Sequence, residues 1–397
     1  MRRSPLLAIF LVAFVGMLSY GIIIPITPFY AQSFGASDFT IGLLIGSYAL
    51  MQFIFAPILG RLSDRFGRRP LLLVSLAGTV GSLILFGFAN SLVLLFVGRI
   101  LDGITGGNIS IAQAYVSDVT TPENRARGMG MIGAALGLGF IVGPAIGGFL
   151  SRNGNYQLPI FVAAGIATLS FVLTAFLLPE PPRTTEYARQ ARTFDIFRLV
   201  RAFAHPRIGR LLQVTLLVAL AFTAFETTFA LFAARRLGYG SMSTGYALAY
   251  IGIVVALVQG GLIRRLAKKF GEGLLIVAGA LLLGLSLLLL GFIQTTLELV
   301  LVGMLLAAGE GVLTPSLSSL VSRRSLPSEQ GEHLGLYQSM GSFARIIAPL
   351  SATWLLQRAG LAVPYMIGGG LVLLASVLAV QFIRPETSEE LGVAASG

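Results

Sequence analysis

The chain contains no cysteine, and its 397 residues include only two histidines and one tryptophan. The absence of cysteine excludes disulfides and thiol chemistry. The histidines, His205 and His333, form no HExxH motif, and no glycine-rich nucleotide-binding loop is present. We therefore expect no metal site, no cofactor and no enzymatic activity.

Charged residues are also scarce, at 11% of the chain against 55% hydrophobic residues, and the mean hydropathy is +0.84. Long apolar runs, such as LLIVAGALLLGLSLLLLGFI at 274–293, are long enough to cross a hydrocarbon layer of about 30 Å as helices. Continuous runs favour helices over the alternating strands of a barrel. The basic start MRR precedes an apolar run with no small-residue cleavage site, so we expect a retained first helix. The composition predicts an all-α integral membrane protein.

Charged and turn-rich segments divide the chain into twelve predicted spans. They cover 5–30, 39–59, 70–89, 92–116, 127–151, 158–178, 209–233, 243–263, 273–293, 297–320, 333–357 and 362–383. The loops on one side carry 22 of the 28 lysines and arginines. This bias predicts that both termini are cytoplasmic, and it explains the net charge of +11 without nucleic acid.

An internal repeat relates the two halves of the chain. RLSDRFG at 61–67 recurs as RLAKKFG at 265–271, and Pro144 recurs as Pro349 at a similar offset. The repeat predicts two pseudo-symmetric six-helix bundles around a central cavity. The predicted parts are an N-terminal bundle over 1–180, a cytoplasmic linker over 181–208 and a C-terminal bundle over 209–397. The linker fits either an amphipathic helix on the membrane surface or a solvated basic segment.

Each ionisable side chain costs about 3 kcal/mol to place in lipid, so those in predicted spans 4, 7 and 10 should face the bundle interior. Spans 1, 4, 7 and 10 are therefore predicted to line the central cavity. Spans 3, 6, 9 and 12 carry little that is polar and are predicted to be peripheral. The proton-site candidates are Asp102, Arg99, Glu226 and Glu310, with Arg345 as a charge partner. The candidates for substrate contact are Tyr20, Tyr48, Gln52, Asn108, Gln113, Tyr337 and Gln338. A structural ion pair or interhelical hydrogen bonding is the alternative role for each set. Two such bundles around a midplane site are typical of an alternating-access carrier.

Three motifs resemble those of the major facilitator superfamily. GRLSDRFGRRP at 60–70 resembles its signature loop, and GAALGLGFIVGPAIGGFL at 133–150 resembles the antiporter motif of twelve-helix drug–proton antiporters. GRILDGITGG at 98–107 is similar to the corresponding segment of bacterial tetracycline–proton antiporters. The resemblance implies a conformational latch at Gly60, Asp64, Arg65, Gly67, Arg68 and Asp118, which closes the cytoplasmic side against the start of span 11. It also implies an antiporter motif at Gly139, Gly143, Pro144 and Gly147, and links Arg99 to proton coupling.

One position departs from the tetracycline antiporters, which carry an acid in span 1 where this chain has Gly16. Coupling would therefore use Asp102, Glu226 or Glu310. The resemblance implies a monomeric exporter that exchanges protons for amphipathic, cationic or neutral small molecules in the lipid bilayer. An uncoupled sugar or metabolite exporter or facilitator is the alternative, and a non-transporting sensor is a third hypothesis.

Overall fold

The computed structural model describes residues 5–181, 201–205, 207–326 and 329–383. These residues form helices joined by short turns, and no strand occurs among them. The predicted all-α membrane fold is therefore confirmed. The surface helix that the linker sequence allows falls largely outside the described residues.

Each predicted span coincides with at least one helix. The first half contains α1 (Pro5–Ile23), α2 (Thr27–Ser33), α3 (Asp38–Phe66), α4 (Arg68–Gly87), α5 (Leu92–Thr105), α6 (Asn108–Val119), α7 (Pro122–Leu150) and α8 (Gln157–Leu177). The second half contains α9 (Gly209–Leu237), α10 (Ser241–Leu257), α11 (Ile263–Leu290), α12 (Thr296–Arg323), α13 (Gln330–Ala359) and α14 (Val363–Ala379). A π-helical turn over Val258–Leu262 joins α10 to α11, and a 3-10 turn over Val380–Ile383 follows α14.

Within the described residues, nine helices are long and apolar enough to cross a membrane, or ten if the bent pair α1 and α2 is one span. One of the nine, Ser241–Leu290, is a 50-residue run that covers two predicted spans. The non-helical residue Gly271 (φ 76°) interrupts this run between the two spans. Helix α13 occupies the position of predicted span 11. The helices are thus compatible with twelve spans.

Two spans are broken where the sequence contains helix-disrupting residues. Helices α1 and α2 meet at a bend of 43° beside Pro25, whose ring removes a backbone donor. Span 4 is interrupted at Gly106 and Gly107, between α5 and α6. Span 4 is predicted as one continuous helix, so the break is a correction, and it lies close to the ionisable residues.

Two compact units emerge from the contacts within the chain. The first contains residues 1–195, 226–253 and 345–364, and the second contains 196–225, 254–344 and 365–397. In the first unit, α1 packs closely on α7. In the second, α11 packs on α12, where a side chain at Gly309 would come within 2.7 Å of the Leu283 backbone nitrogen. The bundle boundaries expected from the sequence repeat stay a prediction.

The repeat is visible in local structure. Gly67 (φ 108°) and Gly271 (φ 76°), which are 204 positions apart, both adopt the left-handed region between two helical segments. The next residues in each copy form matching ion pairs of opposite polarity. Arg68 Nε lies 2.7 Å from Asp118 Oδ2, and Arg323 Nη1 lies 2.6 Å from Glu272 Oε2. The two halves therefore contain equivalent ion pairs between neighbouring spans, with the acidic and basic positions exchanged.

Candidate functional site

Arg99 and Asp102 form an ion pair in the interior of the first unit. They lie three residues apart on α5, so both project from one face of the helix. Arg99 Nη1 lies 3.6 Å from Asp102 Oδ2, which is too long for a direct hydrogen bond. Arg99 is only 5% exposed, and its Nε has no hydrogen-bond partner among the described residues. The Asp102 side chain is 13% exposed, so the pair is largely buried but loosely joined.

An aromatic pair lies beside these charges. The guanidinium carbon of Arg99 lies 4.4 Å from the centre of the Tyr48 ring, within the range of a cation–π contact. Tyr48 in turn stacks on Tyr20 with ring centres 5.9 Å apart. Tyr20 also interacts electrostatically with Glu226 and Arg345. Predicted spans 1, 2, 4, 7 and 11 therefore bring charged or aromatic candidates to one place in the first unit.

Gln52 connects this cluster to the break in span 4. Its amide Nε2 donates to the Tyr48 hydroxyl at 3.0 Å and to the Gly106 carbonyl at 3.1 Å. The second bond satisfies a carbonyl that lies outside the helical ladder, as buried backbone groups require. Gln52 therefore holds the broken segment next to Tyr48, and its contacts are those of interhelical hydrogen bonding.

A row of hydroxyl groups on α4 belongs to the same region, although the sequence analysis predicts span 3 to be peripheral. Ser75, Thr79 and Ser82 recur at helical spacing on one face, and all three are buried. Asn108 Nδ2 lies 3.5 Å from Thr79 Oγ1, and Ser82 lines one small cavity together with Arg99 and Asp102. The i, i+4, i+7 spacing of small hydroxyl residues is the sequence signal that could have identified this row.

Glu310 lies in the second unit, near the middle of α12. Its Oε1 accepts a hydrogen bond from Thr314, and its buried Oε2 has no hydrogen-bond partner among the described residues. The Tyr337 hydroxyl donates to the Thr314 carbonyl at 3.3 Å. Glu310, Thr314 and Tyr337 therefore form a polar group within the second unit.

The remaining substrate candidates differ in their surroundings. Gln113 is half-buried on α6, and Gln338 is exposed on α13. Their roles stay predictions. Among the described residues, no neighbouring atom lies within 4 Å of the position that a Cβ of Gly16 would occupy, so α1 leaves open space at this position.

Comparison with known proteins decides the family. The Major Facilitator Superfamily model matches residues 9–270 and 260–396 of this chain. The chain belongs to the major facilitator superfamily. It is a multi-pass membrane transporter, not an enzyme, and the predicted resemblance to drug–proton antiporters is confirmed by its relatives.

Two curated relatives and one solved structure illustrate these similarities. The class E tetracycline resistance protein of Escherichia coli is 35% identical over 356 residues, which cover 88% of this chain and 87% of that protein. Multidrug resistance protein 2 of Bacillus subtilis (strain 168) is 29% identical over 344 residues, covering 85% and 84%. The crystal structure of the human organic anion transporter MFSD10 (TETRAN) has a TM-score of 0.71 and 27% identity, covering 94% of this chain and 98% of that one.

The superfamily's signature loop forms a compact charged cluster in the first unit. Arg68 contacts Asp64 at 2.5 Å and Asp118 at 2.7 Å, so the predicted association of these three residues is present. Arg65 lies over the Phe66 ring at 5.4 Å instead of joining the cluster. Gly60 lies inside α3, so the chain turns between α3 and α4 at Gly67 (φ 108°) and not at Gly60.

Glu180 is a member of this cluster that the sequence analysis missed. Its carboxylate accepts the backbone N–H groups of Arg68 at 2.6 Å and Arg69 at 2.9 Å, at the start of α4. A carboxylate is favourable there because the first N–H groups of a helix lack partners and the helix dipole is positive. Glu180 therefore caps α4 and ties the end of span 6 to the signature loop.

The antiporter motif packs α7 between two other helices. A side chain at Gly139 or Gly143 would come within 2.7 Å of the α1 backbone, and one at Gly147 would collide with the Ile22 carbonyl. On its other face, Pro144 and Gly148 meet Gly245 of α10. Among the described residues, Gly133 and Gly137 have no such neighbours within 4 Å, so close packing is confined to the second part of the motif.

Further hydrogen bonds in the first unit join segments that are far apart in the sequence. Asp38 accepts two bonds from Arg235, at 2.7 Å and 2.5 Å. The Ser151 hydroxyl donates to that of Ser241 at 2.7 Å, and the Phe39 N–H donates to Gln357 at 3.0 Å. These residues all lie in loops or helix ends that are predicted to face outward. In this structure the predicted outer ends of α3 and α7 are thus joined to those of α9, α10 and α13.

Proposed function

We propose that this transporter exports amphipathic, cationic or neutral small molecules in exchange for protons, by alternating access. The observation that carries the proposal is the buried, loosely joined Arg99–Asp102 pair beside the Tyr20–Tyr48 stack. Proton exchange requires an acid that can be charged in one state and neutral in another. Asp102 meets that requirement because its cationic partner is close but is not locked to it.

The position of Arg99 supports reversible protonation. A bidentate arginine would hold a carboxylate in its charged form, because breaking such a buried pair is costly. Here the guanidinium lies on the Tyr48 ring, and its nearest approach to Asp102 is 3.6 Å. A small rotation of Arg99 away from α5 would leave Asp102 buried without a cation, and it would then take up a proton.

The aromatic stack supports a cationic or amphipathic substrate. Tyrosine faces attract cations, and the Tyr48 face already accepts the Arg99 guanidinium. A substrate cation that took this place would displace Arg99 and use Asp102 and Glu226 as counter-charges. Protons and substrate would then compete for the same carboxylates, which is the coupling that antiport requires.

Transport further requires that the two ends of the site open alternately. We propose that the signature loop acts as the cytoplasmic latch, that both termini are cytoplasmic, and that the protein works as a monomer in the bacterial inner membrane. The bonds of Asp38 and Ser151 would then belong to the closed outer side. Glu310, one of whose carboxylate oxygens has no hydrogen-bond partner in the part of the chain that the structure describes, is a second candidate for proton binding.

Uptake into proteoliposomes tests this proposal. With tetraphenylphosphonium as a probe cation, an acidic vesicle interior should drive uptake, because protons leave as the probe enters. D102N should abolish the dependence of uptake on the pH gradient. E226Q and E310Q identify any second proton site, and E298Q, a substitution in the first turn of α12, is the control. Gradient-driven uptake that persists in all three carboxylate variants would contradict the proposal.

An uncoupled exporter or facilitator is the second candidate, because span 1 lacks an acid and the space beside Gly16 is open. It predicts substrate-dependent flux that is equal in the presence and absence of a pH gradient. Counterflow of labelled probe without a gradient, unchanged by D102N, would favour it.

A further inference from the structure

A strongly basic surface lies at the start of α11, directly after the π-helical turn. Four exposed side chains form it, and we call them the basic face: Arg264, Arg265, Lys268 and Lys269. Their spacing places two pairs of like charges at i and i+4 on one helix, an arrangement that destabilises the helix unless an anion lies nearby. In the part of the chain that the structure describes, none of the four forms an ion pair with an acidic side chain.

The equivalent surface in the first half of the chain contains an acid. At the offset of 204 positions, Lys268 replaces Asp64, which forms an ion pair at 2.5 Å within the signature loop. The acid nearest to the basic face along the chain is Glu272, and its Oε2 lies 2.6 Å from Arg323 Nη1. The second half has therefore exchanged a loop with internal charge pairing for one whose cations are left to an external partner.

The described parts of the chain leave the basic face uncovered. Gly260, Gly261 and Gly271 lie before and after it, and a Cβ at any of them would meet no described atom within 4 Å. Phe270 is 46% exposed, and Lys269 Nζ lies 5.1 Å from the centre of its ring. An aromatic ring attracts an ammonium group without neutralising its charge. The four cations are therefore accessible to a molecule outside the chain.

The surroundings of the basic face match those of a membrane lipid. It lies between predicted spans 8 and 9, on the side predicted to be cytoplasmic. Leu257, which is 69% exposed, and Leu262 precede the cations on the same helical run, so a surface for acyl chains continues into a surface for headgroups. The cytoplasmic leaflet carries anionic lipids, and basic residues clustered beside a span attract their headgroups.

We propose that the basic face binds the headgroup phosphate of an anionic phospholipid. Each arginine can present a planar fork to two phosphate oxygens, and each lysine supplies a compact positive charge. A zwitterionic phospholipid carries the same phosphate, but its ammonium group adds a positive charge that the basic face repels. The site therefore selects phospholipids with a net negative charge, whether or not transport is coupled to protons.

Native mass spectrometry of the purified, delipidated full-length protein tests this inference. The protein is titrated with palmitoyl-oleoyl-phosphatidylglycerol, or with phosphatidylcholine of the same acyl chains, and the bound lipid is counted. The wild type should bind phosphatidylglycerol more tightly. K268Q/K269Q should weaken that binding about 25-fold, because each cation near the surface contributes about fivefold. R264Q/R265Q should give a similar loss, and K268R/K269R should bind as the wild type does.

A matched control removes the same charge elsewhere. Arg152 and Arg358 are exposed on the predicted outer side, so R152Q/R358Q should leave the affinity for phosphatidylglycerol unchanged. An equal loss in R152Q/R358Q, or phosphatidylcholine that binds as tightly as phosphatidylglycerol, would overturn the inference. Displacement of the lipid by inorganic phosphate at equal concentration would also overturn it, because the site would then accept any free anion.

The acidic C-terminal segment is the competing occupant of this surface. Its acids, Glu386, Glu389 and Glu390, lie outside the described residues. If that segment binds the basic face, phosphatidylglycerol should bind selectively only after E386Q/E389Q/E390Q, and this result would overturn the inference. Selective binding to the full-length wild type that the triple variant leaves unchanged would support it.

Discussion

Loss of the Asp38–Arg235 pair should open the predicted outer side of the transporter. The pair has two short bonds, and Asp38 is 6% exposed while the Arg235 side chain is 41% exposed. Breaking a fully buried pair costs about 3–5 kcal/mol, and an exposed pair contributes about 0–1 kcal/mol. For this half-buried pair we expect D38N to cost the closed state about 1–2 kcal/mol, which is a factor of roughly 5–30 in its population relative to the open state.

Thiol labelling measures this change directly, because the natural chain has no cysteine. Ser241 is 6% exposed and bonded to Ser151, so a cysteine placed there is protected while the outer ends are joined. With a membrane-impermeant maleimide, the labelling rate of S241C reports the open population when opening is faster than reaction. We expect D38N to raise that rate roughly 5–30-fold. The exposed Arg358 provides a charge-removal control, R358Q.

A charge exchange separates the ion pair from other effects of the substitution. The double variant D38R/R235D should label at nearly the wild-type rate, because the pair is restored with opposite polarity. The reasoning would be refuted if D38N labelled no faster than the wild type. It would also be refuted if the exchanged pair labelled as fast as the single variant.

Three further predictions concern other contacts. G245A should reduce transport and raise the labelling rate of S241C, because its methyl group would collide with the Pro144 carbonyl. G240A is the control, since no described atom lies within 4 Å of its added methyl group, and it should change neither quantity. Labelling and uptake assays measure both effects. E180A should lower stability by about 0.5–2 kcal/mol through loss of the α4 cap, and an unchanged thermal midpoint in detergent would contradict that role. G16D should fold normally, because the space beside Gly16 is open. The added carboxylate should attract tetraphenylphosphonium by ~1 kcal/mol and so raise its apparent affinity about fivefold. Unaltered binding in a titration would show that this position lies outside the site.

The membrane fold was predictable because the hydrophobic runs are long and the repeat preserves its glycines and prolines. Gly67 and Gly271 recur in the sequence and share a left-handed backbone in the structure. The association of Arg68 with Asp118 also followed from the motif, since a signature loop identifies its own partners by resemblance.

Other parts of the site could not be read from one sequence. Gly106 and Gly107 are compatible with a continuous helix as well as with a break, because glycine is common in membrane helices. Glu180 lies 112 positions from the N–H group of Arg68 that it caps, and no local pattern predicts such a pairing. Serines and threonines in helices often bond their own backbone, so the row on α4 had no distinctive meaning until Asp102 was found beside it.

Proton release on substrate binding tests the central claim most directly. Purified protein in weakly buffered solution is mixed with tetraphenylphosphonium, and the pH change is followed with an indicator dye. If the probe cation and a proton compete for Asp102, binding should release protons, and D102N should bind the probe with the release abolished. Proton release that is the same in D102N and in the wild type would contradict the account.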